Sequence, residues 1–293
     1  MITYNCAGLR LTDIPRNLKT STEIMDASEN RIKKLTKNAF NNYPNMKYLY
    51  LFDNMILKIE TGTFSKLTLL ETLDLSNNGL RFVPSEIFQL KNLRKLYVAE
   101  NELRDEGFSN VKKPVKAPLA YLNLAATEIQ KIPELGILPD LIQLNISMNY
   151  LTQLAPEQFA PLCNLKIVDL NRTSLEACQC VRINMFMEIE LKRLPILDCG
   201  YEASNNCDIE DLKTFNVTKD YLRCITKKEE LVKARSAEIS ISWPFIWFFG
   251  FIGFFFLTMT FVYCNKPPKT KKEVIDLSND IDHFTRPRST LIM

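Results

Sequence analysis

The chain has 293 residues, a net charge of +3 and a single histidine, His283, close to the C-terminus. The near-balanced charge gives no reason to expect a nucleic-acid partner. The absence of imidazole upstream of His283 excludes Ser-His-Asp and Cys-His nucleophilic catalysis and His-ligated zinc from the main body. Since no two carboxylates share a recognisable catalytic setting, the expectation is a binding protein, not an enzyme, with no cofactor and no metal.

In chain order, the first ten residues, MITYNCAGLR, hold no basic region, apolar stretch or cleavage site of a secretory leader. An eleven-residue pattern, L-x-x-L-x-L-x-x-N-x-L, then recurs from starts at 22, 46, 70, 93, 119, 141 and 165, so the intervals are 24, 24, 23, 26, 22 and 24 residues. The block Leu70–Leu80, LETLDLSNNGL, fits at every slot, whereas the block from Thr22 is weak, and Thr127 and Thr173 stand where asparagine is expected. The central L-x-L pair of each block predicts a short strand with alternate residues pointing inward and outward. Asn30, Asn54, Asn78, Asn101 and Asn149 would end these strands and bond neighbouring turns. Phe40, Phe64, Phe88 and Phe159 fall at the nineteenth position of their repeats and are expected to fill the core on the return leg. Stacked in parallel, the strands predict a solenoid with one continuous core. The 26-residue fourth repeat, with Asp105-Glu106-Gly107 and Lys112-Lys113-Pro114, breaks the regular return leg as a tolerated insertion or a protruding loop.

After the repeats, Cys178, Cys180, Cys199, Cys207 and Cys224 fall within a short stretch, which suggests a local disulfide framework; a zinc cluster is the rival reading of the Cys178-Gln179-Cys180 spacing. Residues 241–263 are then 23 consecutive residues without a charge, eight of them phenylalanine. At about 1.5 Å per residue they would span roughly 34 Å, enough for the hydrocarbon core of a bilayer. Trp243, Trp247 and Tyr263 flank the run as interface aromatics do. Flanking basic residues tie at four on each side (Lys227, Lys228, Lys233 and Arg235 before; Lys266, Lys269, Lys271 and Lys272 after), so charge does not set the orientation. The sequons at Asn145, Asn171 and Asn216 all precede the run and, with the cysteines, place the repeats outside the cell, where sulfur is oxidised. In the short tail, Cys264 is a candidate palmitoylation site, and Leu291-Ile292-Met293 has the form that some PDZ domains accept.

The repeats with their cysteine-rich ends resemble the extracellular leucine-rich-repeat family over residues 1 to about 226. The resemblance implies an α/β solenoid, a horseshoe with a parallel concave sheet, followed here by one transmembrane helix. It divides the chain into a partial N-terminal cap (1–21), seven leucine-rich repeats (22–176), a cysteine-rich C-terminal cap (177–226), a juxtamembrane linker (227–240), the span (241–263) and a cytoplasmic tail (264–293). The family's N-terminal cap has further cysteines before the position of Cys6, so the resemblance implies an incomplete start that would have carried them and the leader, with Cys6 left unpaired. It also implies four cap cysteines paired first to third and second to fourth. With five present, Cys199 and Cys207 compete for one slot, and the one left over would reach Cys163.

The binding face of such a solenoid is expected to be the concave sheet. Its outward positions include Tyr48, Tyr50 and Phe52 in the second repeat, Tyr97 in the fourth and Tyr121 in the fifth, with Asp26, Asp74 and Asp169 in the column of Tyr50. Exposed aromatics beside charge match the centre of a protein interface, although strands also favour aromatics because they pack across neighbours. A glycan on Asn145 would cover the C-terminal half of this face and leave the aromatic half free. The expected function is a single-pass plasma-membrane receptor or adhesion protein that recognises an extracellular or membrane protein. The alternative is an accessory subunit or co-receptor of a channel or larger receptor.

Overall fold

The structure, a computed structural model, describes residues 1–152, 154–173, 175–189 and 219–236. The expected span, the tail with Cys264, and Cys199, Cys207 and Asn216 lie outside the described residues. Among the described residues no helix is long and apolar enough to cross a membrane.

Eight three-residue strands form one parallel sheet in the order β1 (Thr3–Asn5), β2 (Ile24–Asp26), β4 (Tyr48–Tyr50), β6 (Thr72–Asp74), β7 (Lys95–Tyr97), β8 (Tyr121–Asn123), β9 (Gln143–Asn145) and β10 (Ile167–Asp169). Seven of them are the strands of the repeats; β1 comes from the segment assigned to the cap. The register pairs Met25, Leu49, Leu73, Leu96, Leu122, Leu144 and Val168 in one inward row. All seven are buried in a single core. A second sheet, β3 (Lys34–Leu35) with β5 (Lys58–Ile59), joins the first two return legs.

The asparagine slot closes each turn by satisfying backbone groups that have no partner in the short strands. Asn101 Nδ2 donates to the carbonyls of Leu75, Val98 and Ala99, each at 3.0 Å, while its Oδ1 accepts from Leu80 N–H at 2.9 Å. Asn30, Asn54, Asn78 and Asn149 make the same kind of bridge. Where threonine replaces asparagine, only part of the set survives: Thr127 Oγ1 donates to Leu124 O, and Thr173 Oγ1 to Leu170 O.

The α part of the expected α/β solenoid is corrected. Among the described residues of the repeats there is no α-helix. The return legs carry 3-10 turns at Ser85–Gln89, Asp105–Phe108 and Pro156–Phe159. A repeat of about 24 residues, after its strand and asparagine turn, leaves too little chain for the several turns a helix needs to hold itself together. Of the return-leg phenylalanines, Phe40 and Phe64 stack as expected, with their rings 5.8 Å apart and 20° from parallel. Phe88 meets an additional ring, Phe108, edge-on at 6.5 Å. The fourth repeat is therefore packed into the core through its 3-10 turn, and Gly107 within that turn has room for no side chain, because a Cβ there would lie 2.8 Å from Leu103 Cβ.

Beyond the last strand, α1 (Ala177–Ile189) lays Ile183, Phe186 and Met187 over the open end of the core. A second helix, α2 (219–236), follows. Its Cys224 is disulfide-bonded to Cys163, with Cα atoms 5.8 Å apart. This replaces the expected arrangement in which Cys224 pairs within the cap and Cys163 takes Cys199 or Cys207. The reason is placement: α2 returns to the sixth return leg, where Lys228 Nζ also donates to Asn164 Oδ1 at 2.9 Å. Cys178 and Cys180 are disulfide-bonded as well. Cys6 is a buried free thiol. The helix α2 also runs through the expected boundary between cap and linker, so residues 227–236 are helical and Arg235 reaches back to Asp140 at 2.8 Å.

Candidate partner-binding face

The strand register arranges the outward side chains in two columns. One runs Thr3, Ile24, Tyr48, Thr72, Lys95, Tyr121, Gln143 and Ile167; the other Asn5, Asp26, Tyr50, Asp74, Tyr97, Asn123, Asn145 and Asp169. Tyr50 and Tyr97 thus flank Asp74 in one column, while Tyr48 and Tyr121 belong to the other.

Tyr48, Tyr50, Phe52, Tyr97 and Tyr121 are half-buried, not exposed as the sequence suggested. The rings lie against neighbouring strands. Those of Tyr97 and Tyr121 are 4.8 Å apart and tilted by 40°, a contact across adjacent strands. Tyr48 Oη donates to Glu71 Oε2 at 3.0 Å. Burial pushes the Tyr97 hydroxyl far above the ordinary tyrosine range, with Tyr121, Asp74 and Tyr50 adding to it. Burial raises Tyr121 too, partly offset by a hydrogen bond with Asn145.

Asp74 departs most from the expectation of an accessible charge. It is 3% exposed, and Thr72 beside it is also buried. Desolvation raises its carboxyl to about 6, with Asp26 and Glu100 adding to the rise and bonds from Ser76 opposing it. Asp74 Oδ1 accepts from Ser76 N–H at 2.8 Å. The same bond, from a residue two positions on, recurs at Asn5, Asp26, Asn123, Asn145 and Asp169. The acidic column is therefore first a set of turn-forming caps. Tyr50 and Tyr97 stand where these caps would be.

Of the sequons, Asn171 is exposed and Asn145 half-buried. Asn145 Oδ1 accepts from both the N–H and the hydroxyl of Ser147, at 3.0 and 2.7 Å. Sequence reasoning also missed exposed apolar groups near the C-terminal half: Ile142, Met148, Ile167 and Tyr150, the last 66% exposed. Their signal was present, since Ile167 and Ile142 occupy or flank an outward column. No group of three or more His, Cys, Asp or Glu residues is placed to hold a metal among the described residues.

The repeated strand, asparagine turn and aromatic return leg build a parallel-sheet solenoid similar to that of leucine-rich-repeat proteins. Residues 20–80 match the family described as Leucine rich repeat. Mouse podocan is 27% identical over 195 residues, covering 58% of this chain and 32% of podocan. Tsukushi-A of Xenopus laevis is 31% identical over 130 residues (44% of this chain, 37% of that protein). Mouse mimecan is 31% identical over 156 residues (53% of this chain, 50% of mimecan). A chain of the crystal structure of the mouse RP105/MD-1 complex superposes with a TM-score of 0.53 at 26% identity, covering 59% of this chain and 29% of that one. The chain spans about a third to a half of the length of these three relatives.

Proposed function

We propose that this chain is a non-catalytic, cell-surface protein that binds a protein partner through the aromatic half of its sheet face. The observation that carries the reading is the side-chain cluster of Tyr50, Tyr97 and Tyr121 around the buried Asp74. Aromatic rings fixed by their neighbours offer apolar area with little rotamer entropy to lose on binding. The RP105/MD-1 neighbour, itself solved as a complex, supports the use of this fold for protein recognition. The charge-free run at 241–263 supports anchoring by one span with the repeats outside, and the sequons and disulfide-bonded cysteines support the same side.

The test is the double variant Tyr50→Ala/Tyr97→Ala in the full chain on cells. Proximity labelling first identifies the partner, and binding is then measured against the unsubstituted chain. Loss of two central aromatics should weaken binding at least tenfold, about 1.4 kcal/mol or more. Leu73→Ala, which cuts into the core, should instead lower surface expression. Undiminished binding by a well-expressed double variant would overturn the reading. A partner on the opposing cell or in solution makes the protein a receptor or adhesion molecule; a channel or receptor in the same membrane makes it an accessory subunit.

A further inference from the structure

The phenylalanines of the return legs are interrupted once. Rings at Phe40, Phe64, Phe88, Phe108 and Phe159 fill the core of five repeats. The fifth repeat, which starts at Leu119 and is the shortest at 22 residues, has Ile137 at the nineteenth position. Its return leg runs through Pro133, Gly136 at φ +82° and Pro139, and delivers no aromatic ring.

The space left over is a pocket of about 310 Å³ between the fifth and sixth repeats, open to solvent on one side and floored by leucines. Leu124, Leu138, Leu141, Leu144 and Leu162 line it, and every one is buried. Protein interiors are close-packed and hold few voids larger than a water molecule. An apolar cavity of about 150 Å³ already stays dry and admits benzene. The pocket here has about twice that volume but opens to solvent at its mouth, so only its leucine floor offers the dry apolar contact that suits a hydrocarbon.

The mouth is polar. Lys113 and Glu134 form an ion pair at 3.8 Å, and Asp220 is paired with Arg223 at 3.4 Å. Among the described residues Glu157 has no ion-pair partner and adds negative charge at the rim, which opposes an anionic head group. A second, more polar pocket of about 210 Å³ shares Lys113, Pro133 and Glu134 with the first.

We propose that this cavity binds an uncharged hydrocarbon chain of about ten carbons, the size that scales from benzene in a cavity half as large. The inference goes beyond the sheet-face reading and does not depend on it. The chain would come from a free apolar molecule or from the end of a lipid acyl group.

The experiment uses the full chain on intact cells with two photoreactive probes. One is decanol bearing a terminal diazirine; the other is phosphatidylcholine with the diazirine at the end of an acyl chain. Crosslinks are mapped to peptides by mass spectrometry. Labelling within residues 132–162 by the decanol probe supports a free ligand, and labelling there by the lipid probe supports a lipid source. In either case decanol should compete at least tenfold better than butanol and better than decanoate. Leu138→Phe and Leu162→Phe, which refill the space, should each reduce this labelling at least tenfold without loss of surface expression. Labelling spread over the surface, competition independent of chain length, or full labelling of the well-expressed filled variants would overturn the proposal.

Discussion

Asp74 has a carboxyl that is buried and yet near its titration point at neutral pH. Its native value of about 6 lies above that of an unfolded aspartate, about 3.9. Between about pH 4 and 6 the native state therefore keeps a proton that the unfolded chain has released, and stability falls as pH rises through that window. Above it the charged, desolvated carboxylate is a standing cost. Asn123 and Asn145 occupy the same column and accept the same turn bond with no charge. Asp74→Asn should accordingly stabilise the protein by on the order of 1–3 kcal/mol at pH 7 and leave it unchanged at pH 4. Urea midpoints at the two pH values measure this, and equal midpoints at pH 7 would mean that the native environment fully compensates the charge.

At the scale of elements, the Cys163–Cys224 disulfide fastens α2 to the sixth return leg across 61 residues of sequence. Closing a loop of that length restricts the unfolded chain, and the double variant Cys163→Ser/Cys224→Ser should lose about 2–4 kcal/mol. Amide exchange should rise first in α2 and in the return leg that holds Asn164, with the N-terminal strands little changed. Uniform loss of protection would show that the bond supports the whole solenoid. The pairing itself was not legible in the sequence, because five cap cysteines and Cys163 allow several matches and only the path of α2 selects among them. The seven repeat strands were legible, since each inward slot is filled by a large apolar residue at a steady interval. β1 was not: Tyr4 holds its central slot and no leucine marks it. Phe108 escaped because it falls at the sixteenth position of its repeat, three residues ahead of the slot the other phenylalanines share. The outward columns could be read from alternation alone, but how deep each side chain lies could not. Depth depends on neighbours three strands wide, as the burial of Thr72 and Asp74 among tyrosines shows.

On the scale of the whole molecule, a solenoid is held by contacts between successive repeats, so its two ends and its middle are stabilised separately. The proposed topology is checked by treating the full chain, expressed behind a working leader, with an N-glycosidase. A loss of mass that disappears when Asn145, Asn171 and Asn216 are all replaced is the expected result; a C-terminal tag reached by antibody on unpermeabilised cells would reverse the orientation. The N-terminal end carries its own reporter. Cys6 is free and buried, its N–H donates to Asp26 O at 2.7 Å, and its carbonyl accepts from Asn30 Nδ2 at 2.9 Å. Burial and nearby Asp26 also raise its thiol, so little thiolate forms while the end stays closed. Alkylation of Cys6, followed on its own peptide, should therefore be slow and should time the peeling of the first strand from the second. Asn30→Ala should quicken it several-fold, while Cys163→Ser/Cys224→Ser at the far end should leave the rate alone, so that a single sulfur clocks how far a disturbance travels along the stack.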